Sequence, residues 1–334
     1  MADGALNDNP FRQWIDLTQP RLGTAVVFAS DEFFAARERL IDPQAPVFIA
    51  DKFDDHGKWM DGWETRRRRD PGHDYCVIKL GAAGEIKGVD IDTTHFTGNF
   101  PPSASIDACA VDSEVPAASA SWEEILPSVR LAGDAHHYFP IHNPRRYTHL
   151  RVNIYPDGGI ARLRVFGEIR PDWGHVDPRR NIDLVALDNG GRALVCNDEH
   201  FGSMHNLNAP GRAANMGDGW ETARRRQPGH DWAVLALGHA GVVKKVEIDT
   251  AHFKGNYPDQ ASIQAAYVKG GSVDVIATQS LYWDMLLPEV KLEMDRQHNF
   301  VDEVREIGPV THVRLNIFPD GGVSRLRLYG HITR

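Results

Sequence analysis

DGWETRRRRDPGHDYCVIKLGAAGEIKGVDIDTTHFTGNFPPSASIDAC, residues 61–109, is written a second time as DGWETARRRQPGHDWAVLALGHAGVVKKVEIDTAHFKGNYPDQASIQAA, residues 218–266, without a gap and at an offset of 157. Of the 49 aligned positions, 31 are identical. The match continues on both sides with small changes of offset. Asp31-Glu32 answers Asp198-Glu199, Trp122 with Leu126-Pro127 answers Trp283 with Leu287-Pro288, and THLRVNIYPDGGIARLRVFGEI (148–169) answers THVRLNIFPDGGVSRLRLYGHI (311–332). A unit of about 150 residues is the size of an autonomous domain and far longer than a solenoid repeat. The expected organisation is a first repeat over residues 1–170 with an N-terminal arm, a polar linker over 171–185, and a second repeat over 186–334.

Within each unit the patterning is mostly that of strands. In VDIDTTHF, Val89, Ile91 and Thr93 alternate with Asp90 and Asp92, which predicts one face in the core and the carboxylates outside. VEIDTAHF repeats it. Leu150, Val152 and Ile154 alternate with Arg151 and Asn153, the Pro156-Asp157-Gly158-Gly159 loop turns the chain, and Ala161, Leu163 and Val165 follow, which predicts a β-hairpin. Helical pattern is brief, confined to DEFFAARERLI (31–41) and SWEEILPSV (121–129). Many short strands parted by Gly and Pro turns predict an all-β chain of two tandem β-sandwiches or jelly rolls.

Composition narrows the function classes. With 37 Lys+Arg against 46 Asp+Glu the net charge is -9, so nucleic acid is not an expected partner. No apolar run is long enough to span a membrane, and the opening MADGALNDNPFRQWIDL lacks the cationic and apolar regions of a signal peptide. Cys76, Cys109 and Cys196 have no metal-type spacing. They read as small buried hydrophobes of a reduced, cytoplasmic protein.

The duplication also permits a comparison inside one chain. Titratable and amide side chains recur in pairs: Glu64/Glu221, Arg67/Arg224, Arg68/Arg225, Arg69/Arg226, His73/His230, Asp74/Asp231, Asp92/Asp249, His95/His252, Asn99/Asn256, Arg151/Arg314 and Asn153/Asn316. Surface positions are usually interchangeable within about 0.5 kcal/mol, so folding alone does not require this. The candidates for proton transfer are Glu64, His73, Asp92 and His95 with Glu221, His230, Asp249 and His252. Asp and His three apart at a strand end would let the carboxylate orient the imidazole. The candidates for binding an anion with N–H and C=O groups are Arg68, Asn99, Arg151 and Asn153 with Arg225, Asn256, Arg314 and Asn316. Arg162 and Arg164, with Arg325 and Arg327, are expected on the same sheet face as Arg151 and Asn153. A lone Asp-x-x-His supplies too few metal donors to define a site. A divalent metal stays open and no organic cofactor is expected.

DGWETRRRR with PGHD, DTTHFTGN and VNIYPDGGIARLR, with their second copies, closely resemble the allantoicase (allantoate amidinohydrolase) family, over nearly the whole chain and in the same two-copy order. The resemblance implies hydrolysis of allantoate to ureidoglycolate and urea during purine-derived nitrogen recovery. It further implies two jelly-roll modules similar to galactose-binding-like domains and a homo-oligomer. The chemistry open at this point is acid–base hydrolysis, with Glu or His protonating the departing nitrogen and an Asp-oriented His or a metal-bound water supplying hydroxide, or else elimination followed by water addition. Copy two has Ala223, Gln227 and Ala251 where copy one has Arg66, Asp70 and Thr94, so the two modules need not be equally active. The competing reading is a non-catalytic tandem module for bivalent ligand binding.

Overall fold

A computed structural model describes residues 9–11 and 13–333; the start of the N-terminal arm, residues 1–8, lies outside the described residues with Arg12 and Arg334. The chain divides into two compact units, Met1–Arg170 and Pro171–Arg334.

The first unit contains β1 (Ile15–Asp16), β2 (Ala25–Ala29), β3 (Trp63–Glu64), β4 (Asp74–Asp92), β5 (Ser103–Cys109), β6 (Glu123–Arg130), β7 (His136–Pro140), β8 (Arg146–Tyr155), β9 (Gly159–Ile160) and β10 (Arg162–Ile169). The 19-residue β4 serves two layers. Its first half pairs with β2 and β8, and β8 continues through β5 to β6. Its second half pairs with β7 and β10, and β10 with β1. Between the halves the chain passes close to other backbone. A Cβ on Gly81 would lie 1.9 Å from the Leu22 carbonyl oxygen, which explains a glycine in the middle of a strand.

The second unit repeats the design with β11 (Ile182–Asp183), β12 (Arg192–Cys196), β13 (Trp220–Glu221), β14 (Asp231–Asp249), β15 (Gln260–Ala266), β16 (Asp284–Lys291), β17 (Gln297–Phe300), β18 (Val310–Phe318), β19 (Gly322–Val323) and β20 (Arg325–Ile332). One α-helix, α1 (Val273–Gln279), is added between β15 and β16, capped by Ser272. Gly238 occupies the crossing point of β14, 1.7 Å from the Asn189 carbonyl oxygen by the same measure.

Between the layers of the first unit, alternate side chains such as Ile78, Ile91, Leu150, Val152, Leu163 and Val165 are buried. Each such burial contributes about 1.5–3 kcal/mol. In the second unit Leu235, Ile248, Leu315, Ile317, Leu326 and Leu328 join one core cluster. Residues 171–185, read from sequence as a linker, pack into this unit. Trp173, Val176 and Ile182 lie against its core and β11 pairs with β20. Cys76 and Cys109 are buried and Cys196 is half-buried, all three as free thiols, and burial raises the Cys76 pKa.

Four local expectations are corrected. SWEEILPSV forms strand β6, not a helix; among the described residues it pairs only with β5, and Pro127 is tolerated on such an edge. DEFFAARERLI contributes only a 3-10 turn, Arg37–Ile41. The stretch 150–165 is not a hairpin, because β8 and β10 each pair with β4, in different layers, and residues 156–161 cross between them. Asp90 and Asp92 are buried, as His136 on β7 covers them.

Candidate active site

Both ends of β4 lie at one rim of the sandwich. Asp74 pairs with Ile154 and Asp92 with Arg162, and residues 156–161 join those partners directly. The three motifs therefore meet. Gly159 N donates to Asn99 O (2.7 Å), Thr65 N to Gly158 O (3.1 Å) and Asp74 N to Pro156 O (3.0 Å), while Arg68 N donates to Asp157 Oδ2 (2.7 Å). Gly158 has φ 141°, and a Cβ there would stand 2.6 Å from Pro101 N. The second repeat makes the same bonds through Gly322 to Asn256, Thr222 to Gly321, Asp231 to Pro319 and Arg225 to Asp320.

At the centre of this rim Asn99 Nδ2 donates to Glu64 Oε1 at 2.7 Å, and Asn256 donates likewise to Glu221. Burial pushes the Glu64 carboxyl above the ordinary glutamate range, opposed by the Asn99 hydrogen bond. Four residues before each Asn stands the histidine, His95 with φ 69° and His252 with φ 70°. A left-handed non-glycine backbone kept in both copies is a strained arrangement held by its surroundings. The holding groups are Asp134, which accepts from His95 N (2.8 Å), and Asp295, which accepts from His252 N (2.7 Å).

The imidazole is oriented otherwise than expected. His95 Nε2 faces Pro46 O at 3.3 Å and His252 Nε2 faces Ala213 O at 2.9 Å. A carbonyl can only accept, so Nε2 carries the hydrogen, and in the neutral tautomer Nδ1 is the ring atom left to accept. Asp92 and Asp249 accept from Thr94 N and Ala251 N two residues on, so these carboxylates brace the turn and do not orient the imidazole.

His73 and Asn153 form a second cluster on the outer face of the first layer. His73 Nε2 lies 3.3 Å from Asn153 Oδ1, and Asn153 Nδ2 donates to Ser105 Oγ (3.1 Å) and Asp107 Oδ2 (2.9 Å). Arg151 donates to Asp107 through Nε and Nη2. In the second repeat His230 Nε2 lies 3.2 Å from Asn316 Oδ1, and Arg314 Nε donates to that same oxygen. Gln264 replaces Asp107, however. Arg314 is buried, stacks 4.1 Å from the Trp232 ring centroid and bonds Ser280 Oγ. Desolvation lowers its pKa to about 10, which leaves the guanidinium charged at neutral pH. Burial lowers His230 as well, helped by Arg314 and Arg225 and opposed by Asn316.

Several other arginines are engaged by protein groups. Arg68 pairs with buried Asp74 and Arg225 with buried Asp231, both at 2.7 Å. Arg162 and Arg164 lie in the second layer, not beside Arg151. Arg162 bonds Gln44 O and Asp61 Oδ2, and Arg164 bonds Asp42 O. Arg325 holds Gly211 and Asp218 in the same way, and Arg327 holds Ala209. They pin the loop that precedes β3 or β13. Arg67, Arg69, Arg224 and Arg226 are exposed. In the second repeat Arg224, Arg225 and Arg226 line a shallow cleft of about 380 Å³ with Asn197, Asp198 and Asp231. In the first repeat Arg66 pairs instead with Asp31, the counterpart of Asp198.

Sequence reasoning missed Asp134/Asp295 and Ser105/Ser262. Both pairs recur at matching offsets, so the duplication was the signal that could have found them. Among the described residues no group of three or more His, Cys, Asp or Glu side chains is gathered to hold a metal ion.

Comparison with known proteins agrees with the duplication. The family model described as the allantoicase repeat matches twice, at residues 15–170 and 182–333. The chain belongs to the allantoicase family. It is 57% identical over 321 residues to a protein named probable allantoicase 2 of Burkholderia pseudomallei, covering 96% of each. It is also 57% identical over 324 residues to one named probable allantoicase of Pseudomonas fluorescens, covering 97% of this chain and 98% of the relative. The crystal structure of an allantoicase from Saccharomyces cerevisiae superposes with a TM-score of 0.77 at 39% identity, covering 95% of this chain and 93% of that one. Allantoicase-family membership thus spans both repeats and both copies of the rim.

Proposed function

We propose that the chain is an allantoicase, hydrolysing allantoate to ureidoglycolate and urea, and that Glu64 with His95 carries the reaction. The activity is supported by 57% identity to named allantoicases over 96% and 97% of the chain. The site is supported by a single observation, the half-buried Glu64 carboxyl of raised pKa held by Asn99 within the turn that carries His95.

Allantoate is a carboxylate whose α-carbon bears two ureido groups. The α-carbon to nitrogen bond breaks, a carbon–oxygen bond forms from water, and the departing nitrogen takes a proton to leave as neutral urea. A carboxyl whose pKa is raised by burial suits that donation. His95 Nδ1, bearing the lone pair, takes a proton from water. Asn99 keeps the Glu64 carboxyl pointed into the rim, and the exposed Arg67 and Arg69 attract the substrate anion. Glu221, Asn256 and His252 repeat the geometry in the second unit. His73, Asn153 and Arg151, with His230, Asn316 and Arg314, support the start of the long strand beneath the rim. Among the described residues no helix is long and apolar enough to cross a membrane. The cytoplasm is the proposed location, where the free thiols stay reduced, and a homo-oligomer is the proposed assembly. Incubating purified protein with allantoate and assaying urea tests the activity, with release in the parental protein and its loss in Glu64→Gln expected. Ligand binding without urea release would favour the bivalent binding module.

A further inference from the structure

The loops before β3 and β13 are superimposable in their bonds up to one point and then differ. Arg164 holds Asp42 O as Arg327 holds Ala209 O, and Arg162 holds Gln44 O as Arg325 holds Gly211 O. Val47 N donates to Asp61 Oδ2 as Ala214 N donates to Asp218 Oδ2. Every pair up to Val47/Ala214 has an offset of 167, whereas Asp61/Asp218 has 157, so the first repeat carries 167 − 157 = 10 additional residues. They fall within Phe48–Met60, whose place in the second repeat is taken by Asn215–Gly217 alone.

This insertion grips the candidate site at both ends. Pro46, just before it, supplies the carbonyl that faces His95 Nε2, and the Phe48 ring lies 5.7 Å from the His95 ring. Met60, its last residue, buries against Phe96 and Ala161. The loop is braced internally. Phe53–Asp54 pairs with Gly57–Lys58, Lys52 sits 3.6 Å over the Trp59 ring, and Lys58 sits 4.8 Å over Phe48 while donating to Ile49 O. Arg39 ties Met60 O at 2.8 Å. Yet Phe48 (51% exposed), Ile49 (44%) and Phe53 (67%) face solvent, together with neighbouring Val47 (52%). An anchored loop that leaves its large apolar groups exposed beside a polar turn is poorly explained by folding alone. In the second repeat the equivalent flank carries Arg212, whose guanidinium sits on Asp249.

We propose that Phe48–Met60 is an apolar cover peculiar to the first repeat, that it makes this repeat the principal seat of turnover, and that Phe48 is the positioning residue that holds the His95 imidazole. The proposal rests on the allantoicase reading and deepens it. Such a cover excludes water from the departing urea and strengthens the interactions beneath it.

Two variants test this, with urea release from allantoate followed across pH and the melting temperature measured in parallel. In the first, Phe48–Met60 is replaced by the Asn-Met-Gly of Asn215–Gly217. The expected result is a retained melting transition and kcat reduced at least tenfold. In the second, Phe48→Ala is expected to lower kcat about tenfold and shift the pH profile with little change in KM, and Phe48→Tyr is expected to restore both. Parental kcat and pH profile in the loop replacement would overturn the proposal. Should that replacement fail to fold, parental kcat and profile in Phe48→Ala would overturn it instead. Absence of urea release from the unaltered protein would overturn the allantoicase reading itself, together with what is built on it.

Discussion

The two repeats share a rim skeleton nearly bond for bond and differ in what lies on it. Both carry the Glu–Asn pair, the left-handed histidine and the aspartate behind it. The first adds the Phe48–Met60 insertion, pairs Arg66 with Asp31, and neutralises Arg151 with Asp107. The second lacks those three features, places Arg212 on Asp249 and leaves Arg314 with neutral hydrogen-bond partners. Duplicated architecture thus preserves the rim geometry, while charge and covering loop diverge between the copies.

The largest expected effect tests how the loop is pinned. Arg162→Leu strands Asp61, itself mostly buried, and should cost about 3–5 kcal/mol in denaturant unfolding. Arg325→Leu should cost clearly less, since Asp218 is more exposed. Equal losses would erase the distinction between the two anchors. Next, Glu64→Gln should lower kcat at least about 100-fold, a typical general-acid contribution, and Glu221→Gln should lower it less; the reverse order would move the site to the second repeat. The unaltered enzyme should lose rate as pH rises through the elevated Glu64 pKa, because only the protonated acid donates.

A smaller effect separates β7 from β17. His136 is raised above its ordinary 6.5, first by its hydrogen bond to Asp90 and then by the charges of Asp90 and Asp92, with burial and Arg164 opposing. Its stabilising contribution is complete below 6.5 and declines as pH climbs through the higher folded value. In the second repeat Gln297 and Glu247 hold the equivalent places and cannot titrate this way. His136→Gln should therefore lower the melting temperature below pH 6.5 and leave it nearly unchanged at alkaline pH; a uniform drop across pH would show a packing role alone. Smallest of all, Asp107→Asn should cost about 1 kcal/mol or less, because Arg151 is a third exposed and screened by water.

The all-β class and the doubling were readable because period-two alternation and a gap-free repeat are local signals. Pairing was less so: Leu150–Ile154 and Leu163–Val165 look like a hairpin until β4 is seen to pair with both. Short-range logic also misplaced the Asp–His pairs. At φ 69° the His95 backbone turns its ring to Pro46, 49 residues earlier, while Asp92 is taken by the Thr94 N–H. Arg162 and Arg164 matched a ligand-binding pattern yet serve backbone carbonyls about 120 residues away, a use of guanidinium that no nearby residue announces.

The shared 19-residue strand has a mechanical consequence. Since each layer borrows half of one continuous backbone, neither sheet can peel away without dragging the other's hydrogen bonds, and each unit should open as a single cooperative block. Amide protons of Ile78 and Ile91, from opposite ends of that strand, should then exchange with deuterium at matching, globally limited rates.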